Sequence, residues 1–123
     1  MIYSIFLVGI GSFVGGVCRF LSTRLIGAHW SGAFPLGTFA INLAGCFLIG
    51  LFYGLSAHGL SPNVRLFLTV GFCGGFTTFS TFANESLQLF RTGNILPFAL
   101  YAALSVFFGI LAVYAGNAAA RLL

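Results

Sequence analysis

Charge is what this chain most lacks. Lysine and aspartate are absent, Glu85 is the single acid, and the five arginines, Arg19, Arg24, Arg65, Arg91 and Arg121, are scattered along 123 residues. A formal charge of +4 spread so thinly makes no patch able to track a phosphate backbone, so no nucleic-acid partner is expected. One glutamate and two histidines, His29 and His58, cannot supply paired carboxylates, a Ser-His-acid set or a metal-ligand cluster, so no enzyme is expected either. Cysteine is sparse: Cys18, Cys46 and Cys73 are odd in number, far apart and set in apolar runs without a C-x-x-C pair, the pattern of small buried thiols. No Lys or Arg precedes the first apolar run, which continues from Ile2 to Cys18 with no clear small-x-small cleavage site after it, so it reads as a retained span and not as a secretory signal.

What fills the chain instead is hydrocarbon. Apolar residues make up 59% of it and the mean hydropathy is +1.09, which places it among integral membrane proteins. A membrane-crossing helix needs about 20 apolar residues, and four stretches qualify, at about 2–25, 35–56, 64–90 and 95–119. Short connections rich in helix-stopping residues separate them: Gly27 with Ser31-Gly32 and Pro35, then His58-Gly59 with Ser61-Pro62-Asn63, then Arg91 to Asn94 before Pro97. The expectation is an all-α membrane protein of four transmembrane helices forming a single domain, 1–123.

Small residues recur four apart at Gly11/Gly15, Ser12/Gly16, Gly50/Gly54 and Ala112/Gly116/Ala120, so close helix contacts are expected, within one chain or with a partner. Orientation is undecided by charge. One side of the membrane receives Arg65 and Arg121, the other Arg24, Arg91 and Arg19, and neither set has a decisive excess. Insertion in both directions is therefore permitted, and two oppositely inserted copies could pair as an antiparallel dimer; a fixed topology set by the first helix is the competing reading.

The third span breaks the apolar pattern. "GFCGGFTTFSTFANE", residues 71–85, gathers three glycines, three threonines, a serine, an asparagine and the only acid. Polar groups at bilayer depth must face protein or water. Gly71, Gly74 and Gly75 weaken the helix, and the hydroxyls that follow compete for its carbonyls, so a local break is expected at Gly74 to Thr78. Carbonyls freed there need a donor, water or a cation; satisfaction by threonine hydroxyls is the alternative. Phe79 and Phe82 share one side beyond the break, interleaved with Ser80 and Thr81, and aromatic edges among hydroxyl donors suit a small anion, though a plain packing stripe would have the same spacing. Asn42 in the second span and Arg19 at the end of the first are further polar intruders, each able to serve either a pore or interhelical packing and snorkelling. Glu85 needs a partner, and Arg19 is a candidate. Tyr101 and Ser105 share a face of the fourth span and read as packing or anchoring.

The segments "GFCGGFTTFSTFANE", "PLGTFAINLAGCFLIG" and "VGGVCRFLSTR" resemble the Fluc (CrcB) family of fluoride-specific ion channels, along the whole length. The resemblance implies an antiparallel, dual-topology homodimer embedded in the lipid of a bacterial cytoplasmic (inner) membrane. Two fluoride pores would flank one structural sodium ion, held by backbone carbonyls at the break in the third helix. At matching positions it implies Gly74 and Thr77 as sodium ligands, Phe79 and Phe82 as the pore phenylalanines, Asn42 as a pore-lining amide, Ser80 and Thr81 as hydroxyls beside the path, and Arg19 as the first-span arginine. Passive export of fluoride is the implied activity. The fourth span departs from the family's hydroxyl track, and Phe76 stands where leucine is commoner. A proton-coupled exporter of the small multidrug-resistance type is the alternative, although its first-span carboxylate is missing here.

Overall fold

In a computed structural model that describes residues 1–123, four helical spans run at Ile2–Ala28, Leu36–Ser56, Pro62–Arg91 and Ile95–Ala120, each within a few residues of its sequence-derived bounds. The chain is all-helical, with no strand. Helices α1 (Ile2–Ala28) and α2 (Leu36–Ser56) are continuous. The third span is composite: α3 (Pro62–Leu66), a π-helical segment (Phe67–Cys73), α4 (Gly74–Phe76) and, after a break, α5 (Phe79–Arg91). Helix α6 (Ile95–Ala120) completes the fold.

Local chemistry sets the ends. Ser61 caps α3, its Oγ accepting from Val64 N at 3.3 Å, and Pro62 takes the first helical position, where its missing N–H costs nothing. At the far end of α5, Gly93 adopts φ +81 and donates to Phe90 O while Asn94 N donates to Leu89 O, the paired bonds of a Schellman stop.

Two glycine seams hold the spans together. On the first, α2 meets α6 so closely that a Cβ at Gly50 would collide with the Val113 carbonyl, and one at Gly116 with the Phe47 carbonyl. On the second, Gly11 and Gly15 of α1 are buried against the backbone of Phe67 to Phe76, and a Cβ on Gly75 would lie 2.5 Å from Ser12 O. Absence of a side chain allows this approach, and dispersion between backbones follows from it. Gly16 has no atom within 4 Å of its would-be Cβ, so the Ser12/Gly16 pair contributes only Ser12 to contacts inside the chain.

The π-helical segment lies along the α1 seam. Gly74 N–H reaches back five residues to Thr69 O, as π winding requires, and Thr69 Oγ1 donates to Arg65 O at 2.8 Å. Both helical residues Gly74 and Gly75 precede the break, which falls at Thr77 (φ −90, ψ 157) and Thr78 (φ −149, ψ 120). The opening thus lies at the C-terminal edge of the stretch in which it was expected, because the Ser12 backbone packs Gly75 in helical form.

Candidate functional site

The break is built by Asn42. Its Oδ1 accepts from Thr78 N at 2.9 Å and its Nδ2 donates to Thr78 O at 3.0 Å, so one amide from α2 pairs with both backbone groups of a single extended residue. In an uninterrupted helix Thr78 N–H would bond to the carbonyl of Gly74. Turned toward Asn42, it leaves that carbonyl without its usual donor. Thr78 also caps α5: its Oγ1 accepts from Thr81 N at 3.3 Å, which takes from the Thr77 carbonyl the donor that helical winding would have supplied. A third carbonyl, that of Gly75, accepts from Arg19 Nε at 3.1 Å.

These three carbonyls separate cleanly. Gly75 is satisfied by a cation from α1, while Gly74 and Thr77, the two positions to which the resemblance assigns sodium, lose their i+4 partners to Asn42 and to the Thr78 hydroxyl. Gly74 is exposed and Thr77 half-buried. Thr77 Oγ1 bonds to Cys73 O at 2.9 Å, so its hydroxyl closes the end of the preceding helix and leaves its own carbonyl alone.

Beyond the break, the α5 N-terminus opens at mid-span with Phe79, Ser80, Thr81 and Phe82 around it. Thr78 Oγ1 lies 3.1 Å from Thr81 Oγ1 and 3.4 Å from Ser80 Oγ, a cluster of three hydroxyls on the first turn. Phe79 and Phe82 pair at 5.8 Å between ring centroids, tilted by 47°. Phe79 is 78% exposed, which puts its ring on the outer surface of a single chain. A cavity of about 530 Å³ runs beside the break, lined by Asn42, Gly74, Thr77, Phe79, Phe82 and Ser105 among others. Of the eight positions to which the resemblance assigns a role, it gathers Asn42, Gly74, Thr77, Phe79 and Phe82, while Arg19, Ser80 and Thr81 lie outside its lining. Arg19 is drawn to the other side of the third span, at the Gly75 carbonyl.

Glu85 does not pair with Arg19. Its Oε1 accepts from Tyr101 Oη at 3.0 Å, and Tyr101 is fully buried with its ring 4.9 Å from that of Phe82. Sequence reading missed this because the partner lies on the next helix, sixteen residues away, and becomes a neighbour only once α5 and α6 pack. The signal available was a phenol on a span that also carries Ser105. A second cavity of about 490 Å³ approaches Glu85 from the membrane edge, walled by Trp30, Phe34, Thr38 and Gln88 among others.

Ser80, Asn84 and Gln88, spaced four apart on α5, are all exposed. A polar stripe at this depth needs water or protein against it. The arrangement therefore offers an electropositive helix end, hydroxyl donors and ring edges on one side of the break, and two under-used carbonyls on the other.

The sequence matches the family model described as CrcB-like protein, Camphor Resistance (CrcB), over residues 6–117. A protein of Flavobacterium psychrophilum is 44% identical over 115 residues, covering 92% of this chain and 93% of the relative. One from Bacteroides fragilis is 49% identical over 117 residues, with 92% of each covered, and one from Chlorobium phaeobacteroides is 47% identical over 121 residues, covering 97% and 94%. All three relatives carry the name fluoride-specific ion channel FluC. By the extent of these matches, the chain belongs to the CrcB-like family.

Proposed function

We propose that the protein is a passive, fluoride-selective ion channel of a bacterial cytoplasmic membrane, working as an antiparallel dual-topology homodimer. What carries the reading is the backbone opening at Thr77–Thr78, which presents donors and ring edges at bilayer depth. Fluoride is small and strongly hydrated, so a path for it must replace water with several weak contacts and not one deep trap. The first-turn N–H groups of α5, the hydroxyls of Ser80 and Thr81 and the positive edges of Phe79 and Phe82 are such contacts. Asn42 acts on the path by holding Thr78 extended, since both ends of its amide are engaged there. Arg19 adds positive potential beside the break.

The exposed Phe79 ring and the Ser80, Asn84 and Gln88 stripe support a second copy of the chain, which would cover polar surface that lipid cannot solvate. Near-even arginine distribution supports its opposite insertion. The carbonyls of Gly74 and Thr77 suit a structural sodium ion, because hard oxygen ligands without an i+4 donor match a hard cation. When bound, the ion would tie the breaks of two chains together and would not be transported. Fluoride that enters a cell as the neutral acid ionises there, so passive flow outward lowers its internal level.

A fluoride-selective electrode following efflux from liposomes that hold the purified protein tests the reading. Fast fluoride release with little chloride release is expected. No flux, or equal chloride flux, refutes it. Proton-coupled resistance to quaternary amines would instead favour the small multidrug-resistance alternative, whose carboxylate would have to be the Tyr101-bound Glu85.

A further inference from the structure

We propose that Trp30, in the loop between α1 and α2, is a positioning residue for the anion path, acting through Phe34 and Tyr101. The inference rests on the channel reading above and names a residue outside the break. The indole Nε1 of Trp30 donates to Phe34 O at 2.7 Å. That same carbonyl accepts from Leu36 N at 2.8 Å across Pro35 (φ −77, ψ 74), the geometry of an inverse γ-turn. The indole also covers Gly32, where a Cβ would lie 2.7 Å from the ring. The loop is therefore closed on itself by one side chain, and its product is a fixed place for the Phe34 ring.

Phe34 stands edge-on to Phe39 at 5.3 Å and to Tyr101 at 5.4 Å. Tyr101 in turn holds Glu85 through its hydroxyl and touches Phe82, which pairs with Phe79. An unbroken series of rings thus leads from a membrane-edge loop to the mid-span site. Phe34 meets Tyr101 edge-on, and the next two pairs are tilted by 57° and 47°, so in close contact each ring's tilt depends on its neighbour's. Trp30 further walls the cavity of about 490 Å³ that reaches Glu85, so the same loop shapes the inlet.

A plain interfacial anchor would need only the aromatic body of residue 30, and Trp30→Phe keeps that body while deleting the N–H. If Trp30 positions the path, this variant lowers fluoride efflux by roughly 5-fold, the weight of one neutral hydrogen bond. Added to Tyr101→Leu it then lowers efflux by less than about 2-fold more, because the series is already cut. Trp30 is the only tryptophan, so its emission reports the loop directly. Tyr101→Leu is expected to shift that emission even without fluoride, and Phe34→Leu to abolish the shift. Unchanged efflux in Trp30→Phe, or effects that multiply independently with Tyr101→Leu, overturns the inference. Should Trp30→Phe fail to fold, Phe34→Leu takes its place in the same cycle with the same criteria. Absence of flux in the wild type would defeat the channel reading alone, since the emission comparison still decides whether loop and Tyr101 are linked.

Discussion

Replacing Asn42 by leucine keeps the branching at Cγ, with a somewhat larger side chain, and removes both hydrogen bonds to Thr78. Interhelical bonds in membranes contribute about 0.6 to 1.7 kcal/mol each, so the two bonds at 2.9 and 3.0 Å together hold about 2 kcal/mol. Thr78 N–H is then left in a half-buried place without its protein partner, which adds about 1 kcal/mol. The total of about 3 kcal/mol is a factor of roughly 100 in the balance between the opened backbone and its competitors. Unfolding titrated with a denaturing detergent should register that loss, and fluoride efflux should fall by at least about 10-fold. Asn42→Asp keeps an acceptor for Thr78 N–H but sets a carboxylate oxygen against Thr78 O at bilayer depth, so a loss no smaller than that of Asn42→Leu is expected. If Asn42→Leu unfolds within about 0.5 kcal/mol of wild type and conducts normally, the amide does not hold the break open and the reasoning fails.

Other substitutions test other contacts in the fold. Gly116→Val drives a side chain into the Phe47 carbonyl, which cannot swing aside, so detergent unfolding should show a loss at the upper end of the usual overpacking range of about 1–3 kcal/mol. Thr78→Val deletes the α5 cap and should cost about 1 kcal/mol with reduced flux, whereas Thr78→Ser should retain most of both; equal behaviour of the two variants would remove the hydroxyl from the account. Phe82→Ile preserves apolar volume without a ring edge, and liposome efflux should lose fluoride over chloride preference if edges carry the anion. Glu85→Gln keeps an oxygen to accept from Tyr101, so unfolding should change by less than about 1 kcal/mol; a larger loss would mean that a cation, not the phenol, is the main partner.

The four spans were legible because bilayer thickness acts on each helix separately and leaves its length in the hydropathy. The break was legible as a region because Gly74, Gly75, Thr77 and Thr78 all weaken local winding, but its place was not. Gly75 proved to serve close packing on Ser12, a tertiary fact, and so stayed helical. Asn42 was recognisable as an amide needing a partner, yet the sequence could not tell that both its ends would meet one residue thirty-six positions on. Arg19 and Glu85 show the same limit from the other side. Opposite charges invited pairing, while the helix arrangement gave Arg19 a carbonyl and Glu85 a phenol. The loop tryptophan offered no periodic signal at all, since its bond closes a turn that belongs to neither span.

The wide winding at Phe67–Cys73 stores one surplus amino acid in the third span. Had those positions coiled tightly, everything downstream would be rotated by about 100° about the axis, and the glycines that now nestle on α1 would point elsewhere. Loss of one residue from this stretch is absorbed by rewinding it as ordinary helix, which leaves α4 and α5 at their present azimuth. The same deletion in α2 would find no slack. Length polymorphism among homologous chains should therefore cluster here, where a one-residue gap leaves the aim of the central rings unchanged.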